Sequence, residues 1–238
     1  RLKGGWRLLR MLIHTLAGLW TVAVRLPRLT PAQQDRCIEI WAVKMLGHIG
    51  ITLEVRGQPP VVGPILLLAN HISWLDILVL HAARHCRFVS KSDVKNWPLV
   101  GTLATAAGTL YIERSSRRDA LRMVHLMEAA LRGHDVLAVF PEGTTGDGHT
   151  LLPFHANLLQ AAVIADAPVQ PVGLRFVDRA SGLTSYAPSY VNHESLIRSV
   201  WRTVCSSPIT AIVHYGSPEQ SQGRERRLWM SHLRQTVD

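Results

Sequence analysis

The sequence predicts an α/β fold: a largely parallel central sheet flanked by helices, preceded by an N-terminal membrane-associated helical hairpin. Three observations carry this. From Ile51 onward, short runs rich in Leu and β-branched residues alternate with stretches of helical periodicity, the pattern of successive βα units. Before Ile51 the patterns are helical only, interrupted at Pro27 and Pro31. Three polar clusters each follow directly on a predicted strand, so an open parallel sheet would gather them at its carboxyl edge. The 238 residues suffice for one sizeable core with a peripheral extension, which divides the chain into an extension at 1–50 and an α/β domain at 51–238.

The extension begins with four basic residues within 1–10, among Leu and Trp, and continues into the apolar run 11–24. As a helix that run spans about 21 Å, short of a roughly 30 Å hydrocarbon core. No small-x-small cleavage site follows it, which argues against a signal peptide. The sequence starts at Arg1 rather than Met, so residues upstream of it are expected. Thr30-Pro31 is an N-cap and first-turn pair for a second helix over 32–48, with Cys37, Ile40, Trp41, Met45 and Leu46 on its apolar face. The basic flanks and Trp6, Trp20 and Trp41 suit a hairpin lying in, or dipping into, a membrane surface. Two helices packed on the core are the alternative.

Predicted strands cover 51–56, 65–69, 86–90, 109–112, 135–140, 169–176 and 209–215. Predicted helices cover 74–83, 92–107, 117–132, 156–165, 194–204 and 224–236. Gln58-Pro59-Pro60 is a loop, and 179–188 an irregular excursion.

The chain carries 26 Lys and Arg against 17 Asp and Glu, a formal charge of +9, with 47% apolar residues. This balance suits acidic lipid surfaces or phosphorylated substrates. Nucleic acid is not expected as a partner, because no binding motif is present and the basic residues interleave with apolar runs rather than aromatics. Cys37, Cys86 and Cys205 are odd in number and widely spaced, so neither a disulfide framework nor a thiolate metal site is expected. A reduced, cytosol-facing chain follows, membrane-associated at the cytoplasmic face of the inner membrane.

The polar clusters are Asn70-His71, Glu113-Arg114 and Pro141-Glu142-Gly143-Thr144. In the first, His71 and Asp76 are five apart. On a continuous helix such residues diverge by about 140°, and on a strand they face opposite ways. They meet only across a turn, which Ser73 supplies through its capping-box spacing to Asp76, starting a helix near Trp74. His71 then lies on the loop and Asp76 in the first helical turn. The octapeptide alone leaves two readings open: Asp76 as a simple cap, or Asp76 orienting His71 as a general base. No G-x-S-x-G elbow exists, and the cysteines lack a base (His85 beside Cys86 faces the other way on a strand), which disfavours covalent acyl-enzyme chemistry. Despite twelve histidines no metal-binding spacing appears, so neither a metal nor any other cofactor is expected.

Together these motifs resemble the glycerolipid acyltransferase family. Its N-H-x4-D signature is matched by Asn70, His71 and Asp76. Its arginine after a short strand is matched by Gly108-Thr-Leu-Tyr-Ile-Glu-Arg114, and its F-P-E-G-T by Phe140–Thr144. A weaker proline-centred strand motif is similar to Val169-Gln-Pro171-Val172. The resemblance implies transfer of an acyl group from acyl-CoA or acyl carrier protein to the free hydroxyl of a lysophospholipid among membrane lipids. It implies His71 as the base and Asp76 as its orienting partner. It also implies substrate binding by the matched Asn70, by Arg114 on the acceptor phosphate, and by Glu142, Gly143 and Thr144 of the third motif; Ser73 of the first stretch and Lys91 after strand 86–90 are further expected contacts. A surface ion pair with Glu113 or Asp119 is the bland alternative for Arg114.

Two departures bear on the acceptor. Gly146-Asp147-Gly148 stands where the family often has Arg or Ser, which leaves Arg117 or Arg118 to substitute as a second phosphate contact. His155 and Asn157 stand where Lys and Gly are frequent. The leading acceptor is 1-acylglycerol 3-phosphate, with a lyso-ornithine lipid as the alternative. A thioesterase, with His71 activating water, and a non-enzymatic basic membrane module are the other readings.

Overall fold

The computed structural model describes residues 2–113, 116–191 and 194–237. Seven strands form one sheet: β1 (Ile51–Gly57), β2 (Ile65–Ala69), β3 (Arg87–Lys91), β4 (Leu110–Ile112), β5 (Val136–Val139), β6 (Val169–Asp178) and β7 (Ile209–Tyr215), in the order β1-β7-β6-β2-β5-β3-β4. Every neighbouring pair is parallel except β6–β7, so the sheet is mixed but mostly parallel. The helices are α1 (Leu2–Trp20), α2 (Pro31–Ile49), α3 (Leu75–Ala83), α4 (Val100–Ala106), α5 (Arg117–Arg132), α6 (Leu159–Ala165), α7 (Leu196–Cys205) and α8 (Arg226–Val237).

Two apolar layers sandwich the central strands. Ile65, Leu67 and Ala69 of β2 face a cluster shared with α2, α3 and α7, while Leu66 and Leu68 face the cluster under α5, α6 and α8. All five residues are buried, which is why β2 reads as an unbroken apolar run instead of an alternating one. Each buried Leu contributes about 1.5–3 kcal/mol, so β2 is anchored from both sides. From β2 the chain passes through α3 on one face to β3, and from β5 through α6 on the other face to β6. Adjacent parallel strands whose helices depart to opposite faces open a crevice at their carboxyl ends.

The helix expected over 92–107 is broken. A 3-10 turn over Ser92–Asn96 is separated from α4 by Trp97, Pro98 and Leu99, because proline disfavours helical geometry before it and Leu99 takes φ 63°. The helix expected at 156–165 likewise opens as a 3-10 turn, Ala156–Leu158.

The first helix is longer than the expected 14 residues. α1 runs on through a π-helical turn, Thr21–Arg25, and a 3-10 turn, Leu26–Arg28. Residues 2–28 are long and apolar enough to cross a membrane by length and composition. The chain then reverses at Thr30, where the Thr30 and Gln33 side chains cap each other's backbone N–H. The two helices meet different fates. α2 joins the core through Ala42, Met45, Leu46 and Ile49, and is tied to the end of α3 by Glu39, which binds the Arg84 guanidinium (2.9 Å) and the His85 N–H (3.1 Å). α1 instead lays its small and polar side on the protein. Gly4 abuts Cys205, Gly18 abuts the Trp41 ring, Arg7 donates to the carbonyls of Val204 and Ser206, and His14 and Trp41 exchange hydrogen bonds with each other's carbonyls. Leu2, Trp6, Leu9, Ile13, Leu16 and Trp20, spaced by alternating fours and threes, form an exposed apolar stripe.

Candidate active site

His71 leaves the carboxyl end of β2 beside the loop that follows β5. Its peptide is clamped from both sides: the N–H donates to Glu142 Oε1 (2.7 Å) and the carbonyl accepts from the Gly146 N–H (2.7 Å). Its imidazole lies flat against Phe140, with ring centroids 3.9 Å apart and planes 11° from parallel. Nδ1 is 2.8 Å from Asp76 Oδ2. That contact assigns the Nδ1 proton to the carboxylate bond and leaves Nε2 as the basic nitrogen. The side chain is 19% exposed, whereas the Asp76 side chain is fully buried.

The turn that joins them differs from a full capping box. Asp76 Oδ2 also accepts from the N–H groups of Ile72 (2.6 Å) and Ser73 (2.9 Å), so the carboxylate arm of the box forms. The hydroxyl arm does not. Ser73 Oγ donates to the Pro188 carbonyl at 2.6 Å and accepts from the Leu75 N–H (3.3 Å) instead of the Asp76 N–H, and the helix begins at Leu75. One carboxylate oxygen thus closes the turn and bonds the imidazole together.

Glu142 staples the loop after β2 to the segment that follows β5. Its second oxygen accepts from the Leu152 N–H at 2.9 Å. Burial pushes its carboxyl above the ordinary value, and the N–H donors of His71 and Leu152 oppose this only in part. Gly143 closes the tight turn after Phe140 at φ 71°, a conformation open to glycine without strain.

Several expected substrate contacts take different places. Asn70 is buried, and its amide pairs with the Leu174 peptide of β6, donating to the carbonyl (3.1 Å) and accepting from the N–H (2.6 Å). Ser73 is buried as well. Both side chains are engaged by backbone, an arrangement that positions the turn carrying His71. Glu142 also holds backbone. Thr144 is exposed on the loop that follows β5, and Lys91 and Glu113 are exposed at the ends of β3 and β4, on the same sheet edge, one and two strands beyond β5. Arg114 lies outside the described residues.

Sequence reasoning missed the segment 186–191, within and just past the supposed excursion. Tyr190 donates its N–H to the Ile72 carbonyl (3.1 Å) and accepts the Thr145 hydroxyl, while Ser189 Oγ donates to the Asp147 carbonyl (3.2 Å). Arg202 of α7 holds this strap by its Ala187 and Ser189 carbonyls. The strap has no periodicity to betray it, and Pro188 was its only local signal. Among the described residues no cluster of His, Cys, Asp and Glu could hold a metal ion.

A buried carboxylate bonded to an imidazole, at the carboxyl edge of a mostly parallel α/β sheet, is an arrangement that can take a proton from a hydroxyl or water. A model of the acyltransferase family matches residues 52–175. The lyso-ornithine lipid O-acyltransferase of Pseudomonas aeruginosa is 34% identical over 93% of this chain and 85% of its own length. The 1-acyl-sn-glycerol-3-phosphate acyltransferase of Neisseria gonorrhoeae is 37% identical over 78% of this chain and 72% of its own. The fold is similar to the crystal structure of the 1-acyl-sn-glycerophosphate acyltransferase of Thermotoga maritima, with a TM-score of 0.69 at 19% identity over 97% of this chain and 94% of that one. The chain belongs to the acyltransferase family and is an acyltransferase.

Proposed function

We propose that the chain moves a fatty acyl group from the thioester of acyl-CoA or acyl carrier protein to the free hydroxyl of a lysophospholipid. The observation that carries this is the His71–Asp76 pair with Nε2 left basic beside Phe140. Nε2 takes the proton of the acceptor hydroxyl as its oxygen attacks the thioester carbonyl. Asp76, buried against Nδ1, stabilises the imidazolium that forms. Collapse of the tetrahedral intermediate breaks the C–S bond, and the imidazolium returns its proton to the departing thiolate. Products are the ester and the free thiol.

The exposed stripe of α1 supports work at a lipid surface. α1 is docked on α2 and α7 by Gly4, Arg7, His14 and Gly18, so lipid cannot surround it and it lies along the surface. A soluble thioester donor would be met at the cytoplasmic face of the inner membrane, which supports that location for this surface. Arg114 and Lys91 would meet an acceptor phosphate, and Gly143 and Thr144 the acceptor backbone.

The leading acceptor is 1-acylglycerol 3-phosphate. Gly146-Asp147-Gly148 and the 93% coverage by the Pseudomonas aeruginosa relative favour a lyso-ornithine lipid as the second reading. The test is purified chain in detergent with each donor and both lyso-acceptors, products followed by mass spectrometry. Diacyl product from one acceptor is expected; donor hydrolysis without acyl transfer would make the chain a thioesterase.

A further inference from the structure

The proposed reaction makes no use of the tip between β3 and α4. After the 3-10 turn, Trp97, Pro98, Leu99 and Val100 carry the chain round into α4, and all four side chains are exposed, Trp97, Leu99 and Val100 at 40–42%. This is a built turn. The Trp97 N–H donates to the Val94 carbonyl (3.1 Å), Val100 to Pro98 (2.6 Å) and Gly101 to Trp97 (2.9 Å). Leu99 is held at φ 63°, a conformation that a branched side chain resists. Gly101 has no room for a side chain, because a Cβ there would stand 2.1 Å from the Lys95 carbonyl oxygen. A strained, close-packed backbone therefore presents four contiguous apolar groups to solvent, an arrangement with no folding benefit.

Two observations identify the occupant. At the base of the tip, exposed Lys91 and Lys95 balance Asp93 and Glu113, and the chain as a whole carries +9, so its net charge favours an anionic surface. The tip also lies on the side of the molecule that carries α1, because it leads into α4, which packs beside α1. It leaves the sheet at the carboxyl end of β3, the edge that carries His71.

We infer that residues 97–100 insert into an anionic lipid surface as a second contact, separate from α1, and that the two together set the tilt of the catalytic edge toward the bilayer. Tryptophan beside lysine is the residue pair that a headgroup boundary accommodates best. The inference extends the reading of α1 as lipid-facing, and its first test needs no turnover.

Trp97→Cys, made with Cys37→Ser and Cys205→Ser, would carry an environment-sensitive fluorophore, Cys86 being buried. On vesicles of phosphatidylglycerol and phosphatidylethanolamine its emission should move to the blue. The same label at Val61→Cys, exposed on the loop before β2 at the opposite sheet edge, should not respond. An unshifted label at 97 on protein that floats with the vesicles overturns the inference, as does failure to float. Should wild-type chain show no acyl transfer, the fluorescence result still stands or falls alone. With transfer established, Trp97→Ser combined with Leu99→Gln should slow turnover of vesicle-embedded acceptor about tenfold and leave a water-soluble short-chain acceptor unaffected. Equal losses on both acceptors would contradict insertion.

Discussion

Asn70→Ala removes the pair of hydrogen bonds that ties the end of β2 to the Leu174 peptide of β6. Alanine replaces neither bond, so a buried N–H and a buried carbonyl lose their partners together. Each orphaned group costs about 1–3 kcal/mol, which gives roughly 2–5 kcal/mol after partial relaxation. For a chain of this size that lowers Tm by about 5–15 °C. Because His71 is the next residue, its peptide shifts against the Glu142 and Gly146 clamps, and kcat should fall even well below the new Tm. Thermal unfolding followed by circular dichroism, paired with turnover at a temperature where both proteins are folded, measures both effects. An Asn70→Ala chain with unchanged Tm and a raised KM alone would refute the positioning role and return Asn70 to the substrate.

Other substitutions separate the remaining roles. Asp76→Asn keeps an acceptor for the turn but removes the charge facing Nδ1, so kcat should drop about 10²- to 10⁴-fold with little change in KM, and a loss under tenfold would exclude Asp76 as the orienting group. Arg114→Ala should raise the KM for a phosphate-bearing acceptor with kcat nearly unchanged; an unaltered KM would remove its assigned contact. Glu39 tests the joint between α2 and α3. Burial works against its ionisation, but the His85 N–H and the Arg84 and Arg36 guanidinium groups outweigh burial and hold its pKa below the ordinary 4.5. A folded pKa below the unfolded one means that its stabilisation is complete above pH 4.5 and fades as pH falls through the folded value. Glu39→Gln should therefore flatten the acid side of the Tm–pH profile, and parallel profiles would contradict this.

What the sequence made legible was local. β2 was readable because five consecutive buried residues admit only apolar side chains, and α5 because Ser116 caps its start and Gly133 its end. The His71–Asp76 pair was readable because one short turn decides its geometry. What stayed hidden depends on distant partners. The atoms that engage Asn70, Ser73 and His71 come from residues 104, 115 and 71 positions away, so nothing near those residues announced their roles. The length of α1 was misjudged for a related reason. Arg7 looked like a polar flank, yet it folds onto the terminal carbonyls of α7 and lets the helix continue through it. Pro98 is the local signal for the break in 92–107, where Trp97 is extended and Leu99 takes a positive φ.

The central claim is that His71 Nε2 removes the acceptor proton. Purified His71→Ala chain, confirmed as folded by an unchanged circular dichroism spectrum and vesicle binding, should form no diacyl product from lysophospholipid and thioester while the wild type does. Turnover retained in that variant would contradict the account.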